Sequence, residues 1–484
     1  MTEQATFDLI VIGSGPGGYK AAVAAAHLGA RVALIERDRP GGTCLNEGCI
    51  PKKSLLYLAG LIEDVNVLNG WGLVGNISGD YRAALTHKDQ VVATIGKNFP
   101  VWLKQLGIRV YFGHARLRGP REVEISTREG PVRLRSGRLV IATGAEPRPH
   151  SACPIDGDRV QSSREFMADQ RAMPASFLFV GGGAVGSELA YLAHQFGARV
   201  TVAEQSGRLL NKPCIPERAS DILERKFERI GIEVRKGATV KRLRHLDDEV
   251  EVELTDGGHG RYGRVLVAIG RKPHTEGLDL GRAGIATDPS GFIITNEYLE
   301  TAASGVYAVG DVKFGPMTAN GALHDAKIAA TNAVEGNRLR YNYNRVPIVI
   351  DSALEIAAVG LTEDRAEDAG FEPEAARTSF SGSPKARGRN DYEGFIEVVH
   401  DEETGQLLGG CIVGAEAGEQ IQMLTAACQS TRGLWFLKDI NYSHPSWCEE
   451  LENAIDRYTA AFTQSGKEVF RPGIYAIDDS VARG

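Results

Sequence analysis

The chain has 484 residues, of which 43% are hydrophobic and 24% charged, a composition ordinary for a globular protein. Its net charge of −7 and its lack of a basic block give no support to nucleic-acid binding. No apolar run is long enough to span a bilayer, and the length indicates three or four domains.

The start of the chain and the cysteine content bear on its location. The sequence runs from Met1 through polar residues directly into a strand pattern, so we expect no signal peptide. The seven cysteines are scattered, which argues against a secreted disulfide scaffold. We therefore expect a cytoplasmic protein, in which a persistent disulfide would be a candidate for catalysis.

A dinucleotide-binding pattern opens the chain. Residues 7–12 are a short apolar strand, followed at once by the glycine motif GSGPGG, an alanine-rich helix and a second strand that ends in Glu36. Gly13 would make the tight turn, Gly15 would let the backbone approach a pyrophosphate, and Gly18 would allow close helix–strand packing. Glu36 would accept hydrogen bonds from a ribose.

A glycine-rich stretch with two cysteines follows, and the rest of the chain is organised around it. Residues 41–53 read GGTCLNEGCIPKK, with four residues between Cys44 and Cys49. Pro51 suits the first turn of a helix, which places Cys49 at the positive end of a helix dipole and favours its thiolate. Such a pair can close and reopen a disulfide. Two structural cysteines or half of a metal site are the alternatives, although no second ligand pair has zinc spacing.

The next hundred residues predict one long helix and then short strands. Residues 80–106 have a helical pattern with Pro100 as a kink or a break, and residues 108–140 read as strands separated by glycine turns. Residues 138–145 form a strand that ends at Thr143 and Gly144, where the backbone could come close to a ligand.

The nucleotide pattern then repeats. A strand over 176–180 leads into GGGAVG, in which Gly181, Gly183 and Gly186 hold the key places, and a helix and a second strand ending in Glu204 follow. Two such units imply two dinucleotides. Glu204 would repel a 2′-phosphate and favours NAD over NADP, although Arg208 lies nearby.

The last part of the chain has no nucleotide signature and reads as an α+β block. Strands are predicted at 346–350, 395–399 and 407–413, and helices near 362–369, 417–431 and 447–463. Residues 464–484 extend past the apparent end of the fold and read as a surface arm or, with less support, a partner-docking tail.

Taken together, these motifs resemble the FAD-dependent pyridine nucleotide–disulfide oxidoreductase family, and most of all its dihydrolipoamide dehydrogenase group. The resemblance spans nearly the whole chain and includes the cysteine motif, the ATGA turn, AIGRKP, GVYAVGDV and a C-terminal His-Pro. It implies an α/β fold with two Rossmann-like domains, for FAD and NAD, and a C-terminal α+β dimerisation domain. The expected divisions are 1–150 (FAD), 151–274 (NAD), 275–345 (central), 346–463 (interface) and 464–484 (extension).

The resemblance also implies roles for individual residues. Cys44 and Cys49 would form the redox-active disulfide, and His444 with Glu449 would be the acid–base pair, each His444 serving the opposite subunit of a homodimer. Lys53 would pair with Glu188 beside the flavin. Asp311 would bind the ribityl chain. The cofactor-binding set would further include Thr43, Lys53, Gly270, Met317 and Ala319.

Some positions depart from the family pattern and leave the substrate open. Tyr442 and Asn320 replace family histidines, residues 352–355 read SALE, and Cys448 places a third thiol near the expected site. The leading hypothesis is oxidation of a protein-bound dihydrolipoyl group with NAD⁺, the carrier being either a 2-oxoacid dehydrogenase complex or a lipoyl carrier outside such complexes. The alternatives are an NAD(P)H-dependent reductase of another disulfide and a lipoyl-binding scaffold without turnover.

Overall fold

A computed structural model of the chain describes residues 4–464, and its N-terminal part is built on a largely parallel sheet. The strands are β1 (Gln4–Ile12), β2 (Val32–Glu36), β3 (Arg109–Phe112), β4 (His114–Gly119), β5 (Glu122–Thr127), β6 (Gly130–Ile141) and β7 (Ala145–Pro147), and the helices are α1 (Pro16–His27), α2 (Gly42–Asn46), α3 (Cys49–Val67) and α4 (Tyr81–Gln105). The sheet order is β3-β2-β1-β6-β5-β4, with β4–β6 antiparallel. The centre of β1 and all of β2 are buried, as expected for strands covered on both faces.

The second part repeats this arrangement. It contains β8 (Val160–Ser162), α5 (Ser163–Ala168), β9 (Ser176–Val180), α6 (Ala184–Gln195), β10 (Arg199–Glu204), α7 (Glu217–Ile230), β11 (Glu233–Lys236), β12 (Val240–His245), β13 (Val250–Leu254), β14 (His259–Tyr262), β15 (Arg264–Val267) and β16 (Arg271–Pro273). A parallel sheet has the order β11-β10-β9-β15-β8, and β12–β14 form an antiparallel sheet beside it. Strand β16 pairs with β7 and so joins the two parts.

The chain then returns to the first sheet before it builds the C-terminal block. Strand β17 (Val306–Ala308) pairs with β6, and helix α8 (Ala319–Glu335) packs against α1. The block holds β18 (Ile348–Asp351), β19 (Glu355–Gly360), α9 (Glu363–Asp368), β20 (Pro373–Ser379), α10 (Pro384–Arg389), β21 (Phe395–Asp401), β22 (Leu407–Val413), α11 (Ala417–Cys428), α12 (Leu434–Lys438) and α13 (Glu449–Gln464). Its strands form one antiparallel sheet, β18-β19-β22-β21-β20.

One hydrophobic core connects these three parts. It contains Leu55 and Leu56 of α3, Leu189 of α6, and Ile350 and Ile356 of the C-terminal sheet. Polar contacts strengthen the junction, because Glu63 of α3 accepts a hydrogen bond from Tyr191 and lies 2.5 Å from Nζ of Lys226. The helix that begins at Cys49 is therefore held against the second nucleotide unit.

The predicted fold class is confirmed. Helix α4 continues through Pro100, so the break predicted there as one of two alternatives is absent. The domain boundaries stay predictions, and the extension over 464–484 lies outside the described residues apart from its first residue. Among residues 4–464, no helix combines the length and the apolar character needed to cross a membrane.

Candidate active site

A single large cleft gathers most of the predicted site. Its volume is about 1380 Å³, and residues of both nucleotide units and of the C-terminal block line it. The predicted residues that line it are Gly13, Gly15, Glu36, Thr43, Cys44, Cys49, Lys53, Thr143, Gly144, Gly181, Gly183, Glu188, Glu204, Gly270, Asp311, Met317 and Ala319. Gly18, Gly186, His444 and Glu449 are not part of this lining.

The first glycine loop turns sharply between β1 and α1. Gly13 has a φ of +97°, and a Cβ atom at Gly18 would lie 1.8 Å from the carbonyl oxygen of Gly13. Only glycine fits at either position. Glu36 closes the loop from the end of β2, because its carboxylate accepts hydrogen bonds from the backbone N–H and the hydroxyl of Ser14 at 3.0 and 2.5 Å.

The second loop repeats this geometry between β9 and α6. Gly181 has a φ of +106°, and a Cβ atom at Gly186 would lie 1.8 Å from the carbonyl oxygen of Gly181. The Glu204 carboxylate accepts from the Gly182 N–H at 2.6 Å and from the hydroxyl of Ser206 at 2.7 Å. Both loops therefore direct backbone N–H groups and a helix N-terminus towards the cleft, an arrangement that suits a pyrophosphate.

The middle glycine of each motif leaves space for a ligand. Among residues 4–464, no other part of the fold comes within 4 Å of a Cβ atom built at Gly15 or Gly183, although both residues line the cleft. The first and third glycines meet protein backbone instead. The loops thus fit two dinucleotides, one at each helix N-terminus.

The two cysteines lie at the junction of α2 and α3, next to the first loop. Cys44 is inside the short helix α2, and Cys49 is the first residue of α3. The two thiols lie close enough for each to change the pKa of the other. Glu47, between them, forms ion pairs with Arg39 at 2.9 Å and Arg164 at 2.6 Å, which anchor the connecting turn.

The environment of the two thiols separates their acidities. The hydrogen bond from Cys44 lowers the pKa of Cys49 to about 7, with a further contribution from the positive charge of Lys52, while burial opposes the shift. The pKa of Cys44 is raised, first because its proton is engaged by Cys49 and then because of burial. Cys49 is therefore the thiolate of the pair near neutral pH.

The predicted ion pair between Lys53 and Glu188 is wrong. Nζ of Lys52 lies 2.6 Å from the Glu188 carboxylate, whereas Nζ of Lys53 lies 2.7 Å from Asp351 at the end of β18. The two lysines follow Cys49 by three and four residues, and both spacings bring a side chain near the same helix face. The spacing along the helix does not show which lysine pairs with Glu188. The positions of the Glu188 and Asp351 carboxylates decide it.

Asp311, Met317 and Ala319, which are also expected to bind FAD, line the cleft as well. Asp311 lies 3.6 Å from Nε of Arg271, and burial raises the pKa of its carboxyl. Met317 and Ala319 flank Thr318, which caps the N-terminus of α8 by accepting the Gly321 N–H at 3.1 Å. This helix end presents a positive dipole to the cleft. The contact of Asp311 with a ribityl chain stays a prediction.

The ATGA turn and Gly270 lie where the two units join. The hydroxyl of Thr143 donates to the carbonyl of His274 at 2.7 Å, and the His274 N–H donates to the carbonyl of Gly144 at 2.8 Å. The Gly270 carbonyl accepts the N–H of Arg148 at 3.0 Å. The close approach of backbone to a ligand at Thr143 and Gly144 stays a prediction.

His444 and Glu449 form a pair that projects from the chain. Nδ1 of His444 lies 2.8 Å from the Glu449 carboxylate, which can only accept, so the imidazole N–H donates and leaves Nε2 as a proton acceptor. Glu449 is 15% exposed, and its second oxygen accepts the Ser446 N–H at 3.1 Å. His444 is 72% exposed. Because it is not part of the cleft lining, an acid–base role at the cysteines requires a second copy of the chain.

Several residues of the site were not predicted. Lys52, Asp351, Glu47 and Ser14 each contact a predicted site residue or anchor the turn between the cysteines. Lys52 and Glu47 belong to the cysteine stretch, so their position in the motif was a usable signal. Asp351 comes just before the unusual segment at 352–355, and only its contact with Lys53 reveals its role in the site.

Comparisons with known proteins agree with this site. The model of the family "Pyridine nucleotide-disulphide oxidoreductase" matches residues 7–326, and that of its dimerisation domain matches residues 346–455. Dihydrolipoyl dehydrogenase of Thermus scotoductus is 37% identical over 456 residues, which cover 93% of this chain and 97% of that protein. Dihydrolipoyl dehydrogenase of Bacillus subtilis is 33% identical, with 92% and 97% covered.

Two solved structures are also similar. The HOCl-induced flavoprotein disulfide reductase RclA from Escherichia coli, in a Cu(II) complex, has a TM-score of 0.82 at 26% identity, covering 94% of this chain and all of that one. LpdA from Mycobacterium tuberculosis has a TM-score of 0.87 at 24% identity, covering 94% and 99%, and supports the fold alone.

The chain therefore belongs to the pyridine nucleotide-disulphide oxidoreductase family. It is an oxidoreductase that acts on a sulfur group, with FAD and NAD(H) as its cofactors, which agrees with the space that each loop leaves at its middle glycine. The dimerisation domain supports a homodimer.

Replacing glycines of the second loop should separate stability from nucleotide binding. Gly186→Ala forces a Cβ against the Gly181 carbonyl, and we expect it to reduce the free energy of unfolding by about 1–3 kcal/mol. Gly183→Ala meets open space, so it should keep the melting temperature and weaken NADH binding. Thermal unfolding measures the stability of each variant, and titration with NADH measures its nucleotide affinity. A Gly186→Ala protein of unchanged stability would contradict the packing role.

The acidity of Cys49 predicts a pH profile. In the reduced protein, alkylation of Cys49 by iodoacetamide should rise with pH and reach half its maximum near pH 7, because only the thiolate reacts. Buried Cys428, with its pKa raised to about 12, is an internal control that should stay unmodified. Peptide mass spectrometry reports each site, and a Cys49 midpoint two or more pH units above the expected one would contradict the assignment.

Proposed function

We propose that this family member oxidises a protein-bound dihydrolipoyl group to the cyclic disulfide, with NAD⁺ as the electron acceptor. The observation that carries the proposal is that Cys44 and Cys49 lie together in a cleft that both glycine loops also line. The names of the dihydrolipoyl dehydrogenases of Thermus scotoductus and Bacillus subtilis support the choice of dithiol.

The acidities of the two cysteines support a direction for thiol exchange. A substrate thiolate attacks the sulfur of Cys44 in the oxidised enzyme, and the bond between Cys44 and Cys49 breaks. The electron pair leaves on Cys49, which is the better leaving group because its pKa is lowered. The second substrate thiolate then attacks the substrate sulfur that is bound to Cys44 and closes the lipoyl disulfide. The bond between that sulfur and Cys44 breaks, and its electron pair leaves on Cys44. The substrate is oxidised by two electrons, and the cysteine pair is reduced by two.

The proton of the substrate thiol needs an acceptor, and the His444 imidazole supplies one. Its Nε2 is available because Nδ1–H is held by Glu449. The exposure of His444 supports its placement over the cysteines of the partner subunit in a homodimer. When bound, FAD supplies the two-electron transfer that links the cysteine pair to the nicotinamide.

The second loop favours NAD over NADP. Glu204 places a carboxylate at the end of β10, where a 2′-phosphate would be repelled. Arg208 is not directed at this position, because its guanidinium donates to the Ser220 hydroxyl at 2.9 Å and to the Ile215 carbonyl. The arginine that left the preference open in the sequence is therefore engaged elsewhere.

The departures from the family pattern bear on two questions: which lipoyl carrier is the substrate, and whether another disulfide is reduced instead. Tyr442 and Asn320 stand where the family has histidines, so no imidazole is present at either position. The Tyr442 hydroxyl donates to the Leu437 carbonyl, and the Asn320 side-chain amide donates to the Pro347 carbonyl. The changes favour a lipoyl carrier outside the usual 2-oxoacid dehydrogenase complexes. The likeness to the flavoprotein disulfide reductase RclA of Escherichia coli supports the second candidate, NAD(P)H-dependent reduction of another small-molecule or protein disulfide.

A steady-state assay separates the two candidates. We expect NAD⁺-dependent oxidation of dihydrolipoamide, a kcat/KM that is at least about tenfold lower with NADP⁺, and a further gain with a lipoylated carrier domain. Cys44→Ser should abolish this turnover because exchange has no disulfide to attack. Inactivity with dihydrolipoamide together with rapid reduction of a small disulfide by NADPH or NADH would overturn the proposal in favour of the second candidate.

The acid–base role predicts a split between half-reactions. His444→Gln should slow reduction of the enzyme by dihydrolipoamide by about 10²–10⁴-fold, the usual contribution of a general base. Bleaching of the flavin by NADH should change less than twofold, since His444 is not part of the cleft lining. His87→Gln on the exposed face of α4 is the matched control. Equal loss of both half-reactions would indicate a structural role.

A further inference from the structure

A buried lysine and a buried aspartate lie next to the segment 310–318, which runs between β17 and α8. The side chains of Lys313 and Asp325 are 4% and 2% exposed, and Nζ of Lys313 lies 3.8 Å from the Asp325 carboxylate. Lys313 belongs to the segment, and Asp325 belongs to α8. Neither residue is part of the cleft lining. Buried charges are costly unless other groups pair with them, so these two require further partners.

Tyr343 links the two charges. Its hydroxyl accepts a hydrogen bond from Nζ of Lys313 at 2.5 Å and lies 2.9 and 3.1 Å from the two carboxylate oxygens of Asp325, to which it can donate. Nζ of Lys313 also lies 5.0 Å from the ring centroid of Tyr343 and 4.9 Å from that of Tyr341, distances at which an aromatic ring attracts a cation. Lys313, Tyr343 and Asp325 therefore form one buried network.

The network is bonded to the backbone of the segment at two points. The Asp325 carboxylate accepts the Gly310 N–H at 3.0 Å, and Nζ of Lys313 donates to the Phe314 carbonyl at 3.0 Å. Between these points the chain makes the short turn that carries Asp311. A change in the network would therefore be transmitted to this turn through hydrogen bonds to its two flanks.

The same segment contributes to the cleft. The residues of the segment that line it are Gly310, Asp311, Phe314, Met317 and Thr318. Met317 has a φ of +56°, a conformation that is unfavourable for a residue with a side chain and persists only where surrounding contacts hold it. The segment thus has the network on one side and the expected FAD site on the other, and its conformation depends on contacts outside the cleft.

We propose that Lys313, Tyr343 and Asp325 are positioning residues for FAD, which hold the segment 310–318 in the conformation that retains the cofactor. None of the three belongs to a motif that the sequence shows, and they meet only in the folded chain. The inference goes beyond the proposed function, because it concerns how tightly the cofactor is held and not which dithiol is oxidised.

The test measures how fast the FAD-loaded protein loses its cofactor. The holoenzyme is diluted, released FAD is removed by ultrafiltration at timed intervals, and the retained flavin is measured by its visible absorbance. Lys313→Met removes the charge, and we expect FAD release to become about tenfold faster, the factor that corresponds to the loss of one hydrogen bond to a charged group. Tyr343→Phe keeps the ring but removes the hydroxyl, and should make release about fivefold faster.

Two control variants separate this role from general effects of charge and stability. Lys327→Met makes the same substitution at an exposed position of α8 and should change the release rate less than twofold. Val252→Ala shortens a fully buried side chain of β13 that is not part of the cleft lining. It should lower the melting temperature because it leaves a cavity, while FAD release again changes less than twofold.

A double variant tests whether the residues act as one network. When Lys313→Met and Tyr343→Phe are combined, release should be at most about twofold faster than in Lys313→Met alone, because groups in one network do not act additively. The visible circular dichroism of the bound flavin reports its surroundings. It should change in both single variants and stay unchanged in Val252→Ala.

Each result supports or overturns the proposal. Unchanged FAD release in Lys313→Met and Tyr343→Phe would overturn it, and so would release accelerated equally by Val252→Ala. Effects that multiply in the double variant would overturn the single network. If Lys313→Met does not fold, Tyr343→Phe, which loses one oxygen atom, decides the outcome. The measurement uses neither NAD⁺ nor a dithiol, so the expected release rates without dihydrolipoamide turnover would refute the proposed function and leave this inference intact.

Discussion

The ion pair between Lys52 and Glu188 is the contact on which the arrangement of the site depends. It joins the helix that starts at Cys49 to helix α6 of the second nucleotide unit, and the backbone N–H of Asp351 in the C-terminal block donates to the same carboxylate. A buried carboxylate is costly without a partner, so the three regions are held together where the redox chemistry takes place. The charge that secures the junction also favours the thiolate.

Two copies of one loop design bring the cofactors to this junction. In each, the first and third glycines meet backbone and the middle glycine faces open space. A glutamate at the end of the next strand fastens each loop, Glu36 through Ser14 and Glu204 through Gly182. These hydrogen bonds restrain both loops, which reduces the conformational entropy that the loops can lose on binding.

The C-terminal block contributes in two different ways. Within the chain, the Asp351 carboxylate forms an ion pair with Lys53, which lies about one helical turn after Cys49. Outside the cleft, Glu449 orients an exposed imidazole that lies apart from the cleft lining of its own chain. The match of residues 346–455 to the family's dimerisation domain supports a homodimer.

The sequence by itself determined both nucleotide loops and the cysteine pair through local motifs, and it indicated the fold class and the link between His444 and Glu449 through the family resemblance. These features depend on residues close in sequence or on strict backbone needs, such as glycine at a positive φ, which a motif states directly. Only the tertiary structure decided which lysine pairs with Glu188. Lys52 and Lys53 both lie about one helical turn from Cys49, and the choice between them depends on Asp351, which comes from a distant strand. Long-range electrostatics leave no local pattern, so no motif could have shown it.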